Sequence, residues 1–158
     1  MSALLEMVKA LRSTGSSLAL AESCTGGLIS TLITDLPGSS GYFLGSAVTY
    51  SNISKNRVLG VSQDTLSKYG AVSEQTAIEM AEGAAKVFVS DFAASATGIA
   101  GPDGGSSVKP VGTVCIGLTD GRRSLVFTKH FQGSRSEVRT KTTETVFELL
   151  TDFILEKI

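Results

Sequence analysis

A serine, a cysteine, a tyrosine and a lysine stand where this chain can do acyl-transfer chemistry. Ser23 and Cys24 lie in Glu22-Ser23-Cys24-Thr25-Gly26-Gly27, and Tyr50 and Lys55 lie in Tyr50-Ser51-Asn52-Ile53-Ser54-Lys55. A hydroxyl or thiol becomes a nucleophile when a neighbouring base takes its proton. A lysine can be that base only when burial or positive surroundings bring its pKa down from about 10.4. Tyr50 can relay a proton or hydrogen-bond a substrate. The same residues also have plainer uses. Ser23 and Thr25 suit helix caps, Tyr50 suits the half-buried end of a strand, and Lys55 suits a solvated helix face. Cys24 beside a helix N-terminus is a second nucleophile candidate, and the residue types alone do not choose between it and Ser23.

The elements that would position these residues are legible around them. Leu18 to Ala21 form an apolar run suited to a strand buried on both faces, and Ser23 to Gly27 suit a tight turn. Leu28, Ile29, Leu32, Ile33 and Leu36 then recur at helical spacing. A strand-turn-helix junction sets backbone N–H groups, here of Cys24, Thr25, Gly26 and Gly27, beside the reactive side chains, where they can hold an anion or an oxyanion. A second strand, Leu44 to Tyr50, leads into a loop with Asn52 and Lys55. A third, Phe92 to Thr97, leads into a glycine-rich loop from Gly98 to Ser107. Gly98, Gly101, Gly104 and Gly105 let that backbone approach a ligand and turn amides inward. The loop lacks the Gly-Lys-Ser/Thr ending of a Walker A motif and the spacing of a dinucleotide fingerprint. Lys109 suits either a phosphate or solvent. Arg135 opens the last helix, where a cation opposes the dipole, and that placement points to an anionic ligand.

The remaining pattern supplies the frame. Ser2 to Ser13 reads as a helix stopped by Gly15. Short helices end near Gly60 and run from Ser62 to Lys68. Ser73 caps a longer helix with Ala77, Met80, Ala81, Ala84, Ala85 and Phe88 on its apolar face. Val111 to Thr119 and Arg123 to Phe131 are strands joined by the hairpin turn Asp120-Gly121. Ser134 and Glu137 have capping-box spacing before a final helix. This order predicts an α/β fold, a three-layer α/β/α sandwich on a mixed, mostly parallel sheet with a late antiparallel hairpin, in a single domain over residues 1–158. If the first three strands are parallel, the three loops after them share one sheet edge, where ligands bind in open α/β sheets.

Composition narrows the function classes. The chain has 158 residues, 42% apolar and 18% charged, which suits one domain with a core and not a disordered chain. A net charge of −1 from 14 basic and 15 acidic residues points away from nucleic acid as a partner. The apolar runs are too short for a membrane span, and neither a signal peptide nor a disulfide framework is expected from a chain with only Cys24 and Cys115, so a cytoplasmic location is expected. His130 is the only histidine. It leaves no histidine-based zinc site, and a Ser-His-Asp triad would rest on this residue alone. No metal and no cofactor are expected. Small size and exposed strand edges suit a homo-oligomer.

Five motifs taken together carry a family resemblance. Ala21-Glu22-Ser23-Cys24-Thr25-Gly26-Gly27, Thr49-Tyr50-Ser51-Asn52, Gly70-Ala71-Val72-Ser73-Glu74, Gly98-Ile99-Ala100-Gly101-Pro102-Asp103-Gly104-Gly105 and Lys109-Pro110-Val111-Gly112-Thr113-Val114 resemble the CinA C-terminal domain family, in order and over nearly the whole chain. Stand-alone members of that family are nicotinamide-nucleotide amidases (NMN deamidases). The resemblance implies hydrolysis of the carboxamide of nicotinamide mononucleotide to nicotinate mononucleotide and ammonia, in pyridine nucleotide recycling. It implies Ser23 as the catalytic serine, with Tyr50 and Lys55 beside it. The match at Lys55 rests on its spacing after Tyr-Ser-Asn. Activities of the additional N-terminal domain found in longer members are not expected of these residues. A non-catalytic pyridine-nucleotide sensor and an assembly module on the same fold are the alternatives. Retention of Ser23, Tyr50 and Lys55 argues against both.

Overall fold

The computed structural model describes residues 2–158. Its sheet has five strands in the order β2-β1-β3-β4-β5. β1 (Leu18–Glu22) pairs in parallel with both β2 (Phe43–Val48) and β3 (Phe92–Gly98), and β4 (Thr113–Thr119) pairs antiparallel with β3 and with β5 (Ser124–His130). Four of the five strands therefore point the same way. Helices cover both faces, which gives the three layers expected. α1 (Ala3–Thr14), α2 (Leu28–Thr34) and α6 (Arg135–Ile154) lie on one face. α3 (Asn52–Leu59), α4 (Gln63–Tyr69) and α5 (Glu74–Phe88) lie on the other.

β1 shows why the layers differ in thickness. Strand side chains alternate between faces. Leu18 and Leu20 enter the core under α1 and α6 with Met7, Leu11, Leu150 and Phe153. Ala19 and Ala21 enter the core under α5 with Met80, Ala84 and Ala93. Large side chains hold the first pair of layers together, each fully buried Leu or Phe contributing about 1.5–3 kcal/mol. Small ones let α5 sit close to the sheet. The approach is close enough that a Cβ on Gly117 of β4 would lie 2.4 Å from the carbonyl oxygen of Ala77 in α5.

Local signals set the ends of these elements. Ser2, Ser62, Ser73 and Ser134 each accept a hydrogen bond from the amide three residues on, and Gly15 ends α1 in the left-handed region. Two strands are shorter than their apolar runs suggest. β2 stops at Val48: the Thr49 amide makes a last bond to Glu22, but the Thr49 carbonyl turns to a side chain, and Ser51 caps α3. β4 starts at Thr113 because Gly112, at φ +93°, turns its amide to Ile99.

Candidate active site

The carboxyl ends of β1, β2 and β3 lie at one edge, so Ser23, Tyr50 and the loop after Gly98 arrive there together. The antiparallel register, Gly98 opposite Val114 and Thr113 opposite His130, returns the end of β5 to the same edge, and with it the start of α6. Between them lies a cleft of about 280 Å³ whose walls include Ser23, Cys24, Tyr50, Lys55 and Arg135. Thr97, Gly98, Gly101 and Gly104 complete its β3 side.

Lys55 is the decisive residue. It sits in the first turn of α3, which Ser51 and Ser54 fix by reciprocal capping, each hydroxyl accepting from the other's amide. Its side chain runs inward and is 1% exposed. The Nζ lies 2.9 Å from Ser23 Oγ and donates to the Thr49 carbonyl at 2.8 Å. Among the described residues no carboxylate pairs with it. Burial therefore lowers its pKa, opposed only by the neighbouring Cys24. A neutral amine keeps two N–H bonds and one lone pair. With one N–H on Thr49, the lone pair is free to accept from the Ser23 hydroxyl. Ser23 itself is buried and caps no helix. The N-cap of α2 is Gly27, in the left-handed region and with no side chain of its own, and the first-turn amides of Ile29 and Ser30 donate to Glu22 instead.

Cys24 is in a different state. Burial pushes its thiol up to about 11, so it stays protonated at neutral pH, and the Lys55 amine faces Ser23 instead. Tyr50 is at the mouth, 62% exposed, and its hydroxyl accepts from Arg135 Nη2 at 3.0 Å. The Tyr50 proton is therefore free to be donated. Arg135 Nη1 donates to the Gly101 carbonyl at 2.8 Å, so one guanidinium ties the loops after β2 and β3 together. Two of its five N–H donors are engaged in these bonds, and the others are available to an anion.

The sequence matches the family described as CinA C-terminal domain over residues 2–154. This chain belongs to that family. It is 50% identical over 141 residues to a CinA-like protein of Endomicrobium trichonymphae, covering 89% of this chain and 33% of that protein. It is 51% identical over 148 residues to a CinA-like protein of Syntrophomonas wolfei, covering 93% and 36%. The chain thus spans about a third of the length of the curated relatives it matches. Among solved structures, the competence/damage inducible protein of Agrobacterium tumefaciens aligns with a TM-score of 0.89 at 40% identity, covering 94% of this chain and 91% of that one. A CinA superfamily protein of Klebsiella pneumoniae aligns at 0.94 with 28% identity, covering 98% and 96%.

Not every residue singled out in this CinA domain reaches the cleft. Asn52 is exposed at the start of α3 and lines a separate groove of about 380 Å³ against α4, one that holds no lysine, thiol or carboxylate. The Thr25 hydroxyl is buried and donates to Glu22. Gly26 and Gly27 supply left-handed turn geometry, at φ +58° and +100°. Gly105 packs under Val111, whose amide nitrogen would be 2.6 Å from an added Cβ. Lys109 donates to the Tyr69 carbonyl, and His130 lies within 3.3 Å of Thr113 Oγ1 in a different cavity. Among the described residues no group of three or more His, Cys, Asp or Glu side chains is placed to hold a metal ion, and no helix is long and apolar enough to cross a membrane.

Two residues of the site were missed. Glu22, wholly buried, carries the turn after Ser23 on its carboxylate. Arg139 donates from Nε to the Cys24 carbonyl (3.1 Å) and from Nη2 to the Thr25 carbonyl (2.8 Å). Signals for both were present: a lone charge ending an apolar strand, and a second arginine four residues after Arg135, on the same helix face.

Proposed function

We propose that this chain is a serine-centred amidase that hydrolyses the carboxamide of nicotinamide mononucleotide to nicotinate mononucleotide and ammonia. The observation that carries the reading is the buried Ser23–Lys55 pair, 2.9 Å apart in a cleft at the sheet edge. Neutral Lys55 takes the Ser23 proton as Oγ attacks the carboxamide carbon. The developing oxyanion is received by backbone amides of the turn, and each such donor is worth about a hundredfold to a thousandfold in rate. Tyr50 hands its proton to the departing nitrogen, which leaves as ammonia, and the proton taken up by Lys55 then passes to the Tyr50 phenolate, so that the amine is neutral again. Water then attacks the ester on Ser23, with Lys55 again as base, and releases the carboxylate product. The scheme uses no metal or cofactor. The unengaged N–H donors of Arg135 and the glycine-rich loop from Gly98 to Gly104 line the same cleft and suit a phosphate, which supports the choice of a nucleotide over a bare amide.

Ammonia release from nicotinamide mononucleotide, measured with chelator present for wild type and Ser23→Ala, tests this. Release by wild type that is lost in the variant is expected. A wild type that binds the nucleotide and releases nothing would overturn the amidase reading.

A further inference from the structure

Glu22 precedes the nucleophile, and the reaction proposed above gives it no step. It is 0% exposed, and among the described residues no Lys, Arg or His is within ion-pair distance of it. Six donors satisfy its two oxygens instead. Oε2 accepts from the Thr25 hydroxyl (2.8 Å) and from the amides of Gly27 (3.0 Å) and Ile29 (3.2 Å). Oε1 accepts from the Ser30 amide (3.0 Å), the Ser30 hydroxyl (2.8 Å) and the Ser46 hydroxyl (3.2 Å). Three amides and three hydroxyls converging on two oxygens are the donor set of an ionised carboxylate. The arrangement spans three elements: the end of β1, the start of α2 and the neighbouring β2.

Its consequence is selective. Of the amides after Ser23, Gly26 bonds to the Ser23 carbonyl and Leu28 to Thr25, while Gly27, Ile29 and Ser30 bond to Glu22. Among the described residues the amides of Cys24 and Thr25 donate to no backbone carbonyl and to no side chain of another residue. Arg139 acts on the same peptide from the other side. Across a trans peptide the C=O and N–H point in opposite directions. By holding the Cys24 carbonyl, Arg139 therefore aims the Thr25 amide away from itself.

We propose that Glu22 is a positioning residue: its carboxylate ties down the turn that follows Ser23, keeps Ser23 Oγ against Lys55 Nζ, and occupies the start of α2 so that the amides of Cys24 and Thr25 are the ones left for an oxyanion. This rests on the reading of Ser23 as the nucleophile. Glu22→Gln is the direct test. It conserves shape but sets an NH₂ group against donors, so one side of the cradle must open. A double variant, Ser30→Ala with Ser46→Ala, removes two hydroxyl donors from Oε1 and leaves the carboxylate in place.

Two readouts are needed, kcat and KM for the nucleotide, and the rate at which a fluorophosphonate labels Ser23. Labelling requires an activated serine but not the substrate. In folded Glu22→Gln protein, kcat and the labelling rate should both fall about a hundredfold, the usual effect of a misplaced reacting atom. KM should stay within about threefold, since the cleft walls that hold substrate are unchanged. The double variant should lose about tenfold in both rates. A folded Glu22→Gln protein labelled at the wild-type rate overturns the inference. If that variant does not fold, a double variant with wild-type kcat and labelling, altered only in melting temperature, overturns it equally. Wild type that is labelled but releases no ammonia defeats the amidase reading, and the labelling rates then decide this one. Wild type that is not labelled defeats both.

Discussion

Replacing Lys55 by methionine keeps the length of the side chain and removes its amine, and the two consequences have different pH signatures. Catalysis loses the group that takes the Ser23 proton. A positioned general base is worth about 10² to 10⁴ in rate, so kcat should fall at least about a hundredfold. In wild type, kcat/KM should rise with pH through the depressed pKa of Lys55, and that limb should vanish in the variant. Stability carries the second signature. Burial holds the Lys55 pKa below 10.5 in the folded chain. Between the folded value and 10.5 the unfolded chain binds the additional proton, so wild-type stability rises with pH across that window. Below it the folded state bears the whole penalty of a buried ammonium, about 1.4 kcal/mol for each unit of depression. Methionine also leaves the Thr49 carbonyl and the Ser23 hydroxyl without a partner, but that cost does not depend on pH and cancels from the slope. The difference in unfolding free energy, wild type minus Lys55→Met, should therefore grow with pH through the window and level off above 10.5. Guanidinium unfolding of both proteins from neutral pH upward measures it. Parallel stability curves, or a variant keeping more than about a tenth of wild-type kcat, would refute the reasoning.

Three further outcomes follow from the same geometry. Cys24→Ala should keep kcat for ammonia release within about threefold, because the wild-type thiol stays protonated and its backbone amide survives the change. A loss as deep as that of Ser23→Ala would move the nucleophile to Cys24. Arg135→Met should raise KM for the mononucleotide about tenfold to a hundredfold, the worth of a charged hydrogen bond. Initial-rate kinetics with the riboside, which lacks the phosphate, should show little of that increase. Gly83→Ala should lower the denaturant midpoint by the equivalent of about 1–2 kcal/mol, despite a helix-propensity gain of about 1 kcal/mol. The new Cβ would fall 2.0 Å from the Leu59 carbonyl oxygen, a backbone atom that cannot rotate aside. Leu59 ends the helix that carries Lys55, so kcat should drop as well.

What was legible in the chain was what local physics decides. The strand from Leu18, the turn at Ser23 to Gly27 and the serine caps follow from apolar period and capping chemistry, and each depends on neighbours within a few residues. Parallel pairing of the first three strands then brings Ser23, Tyr50 and the glycine-rich loop to one edge. Burial of Lys55 was not legible. It stands among Ser54, Asn56 and Arg57, a polar stretch that reads as solvated, and only the packing of α3 on α5, with Leu59 in the core beside Ala47, turns it inward to Ser23 and Thr49. Asn52, three residues earlier, does not follow it inward: it is exposed at the first position of α3 and lines the groove against α4.

The turn after Ser23 makes the division sharper. Four amides, from Cys24 to Gly27, were equal candidates to hold an oxyanion when read as sequence. Their inequality comes from Glu22, and the cradle around Glu22 depends on Ser46, which reaches it from β2 because parallel pairing sets Leu20 against Ser46. Once the carboxylate takes Gly27, and Gly26 bonds to the Ser23 carbonyl, only Cys24 and Thr25 remain. A helix start filled by the protein's own anion cannot also serve the substrate. On the proposed reading, the dipole of α2 therefore serves to hold Ser23 in place, and stabilisation of the reacting oxygen falls to the two amides that precede it.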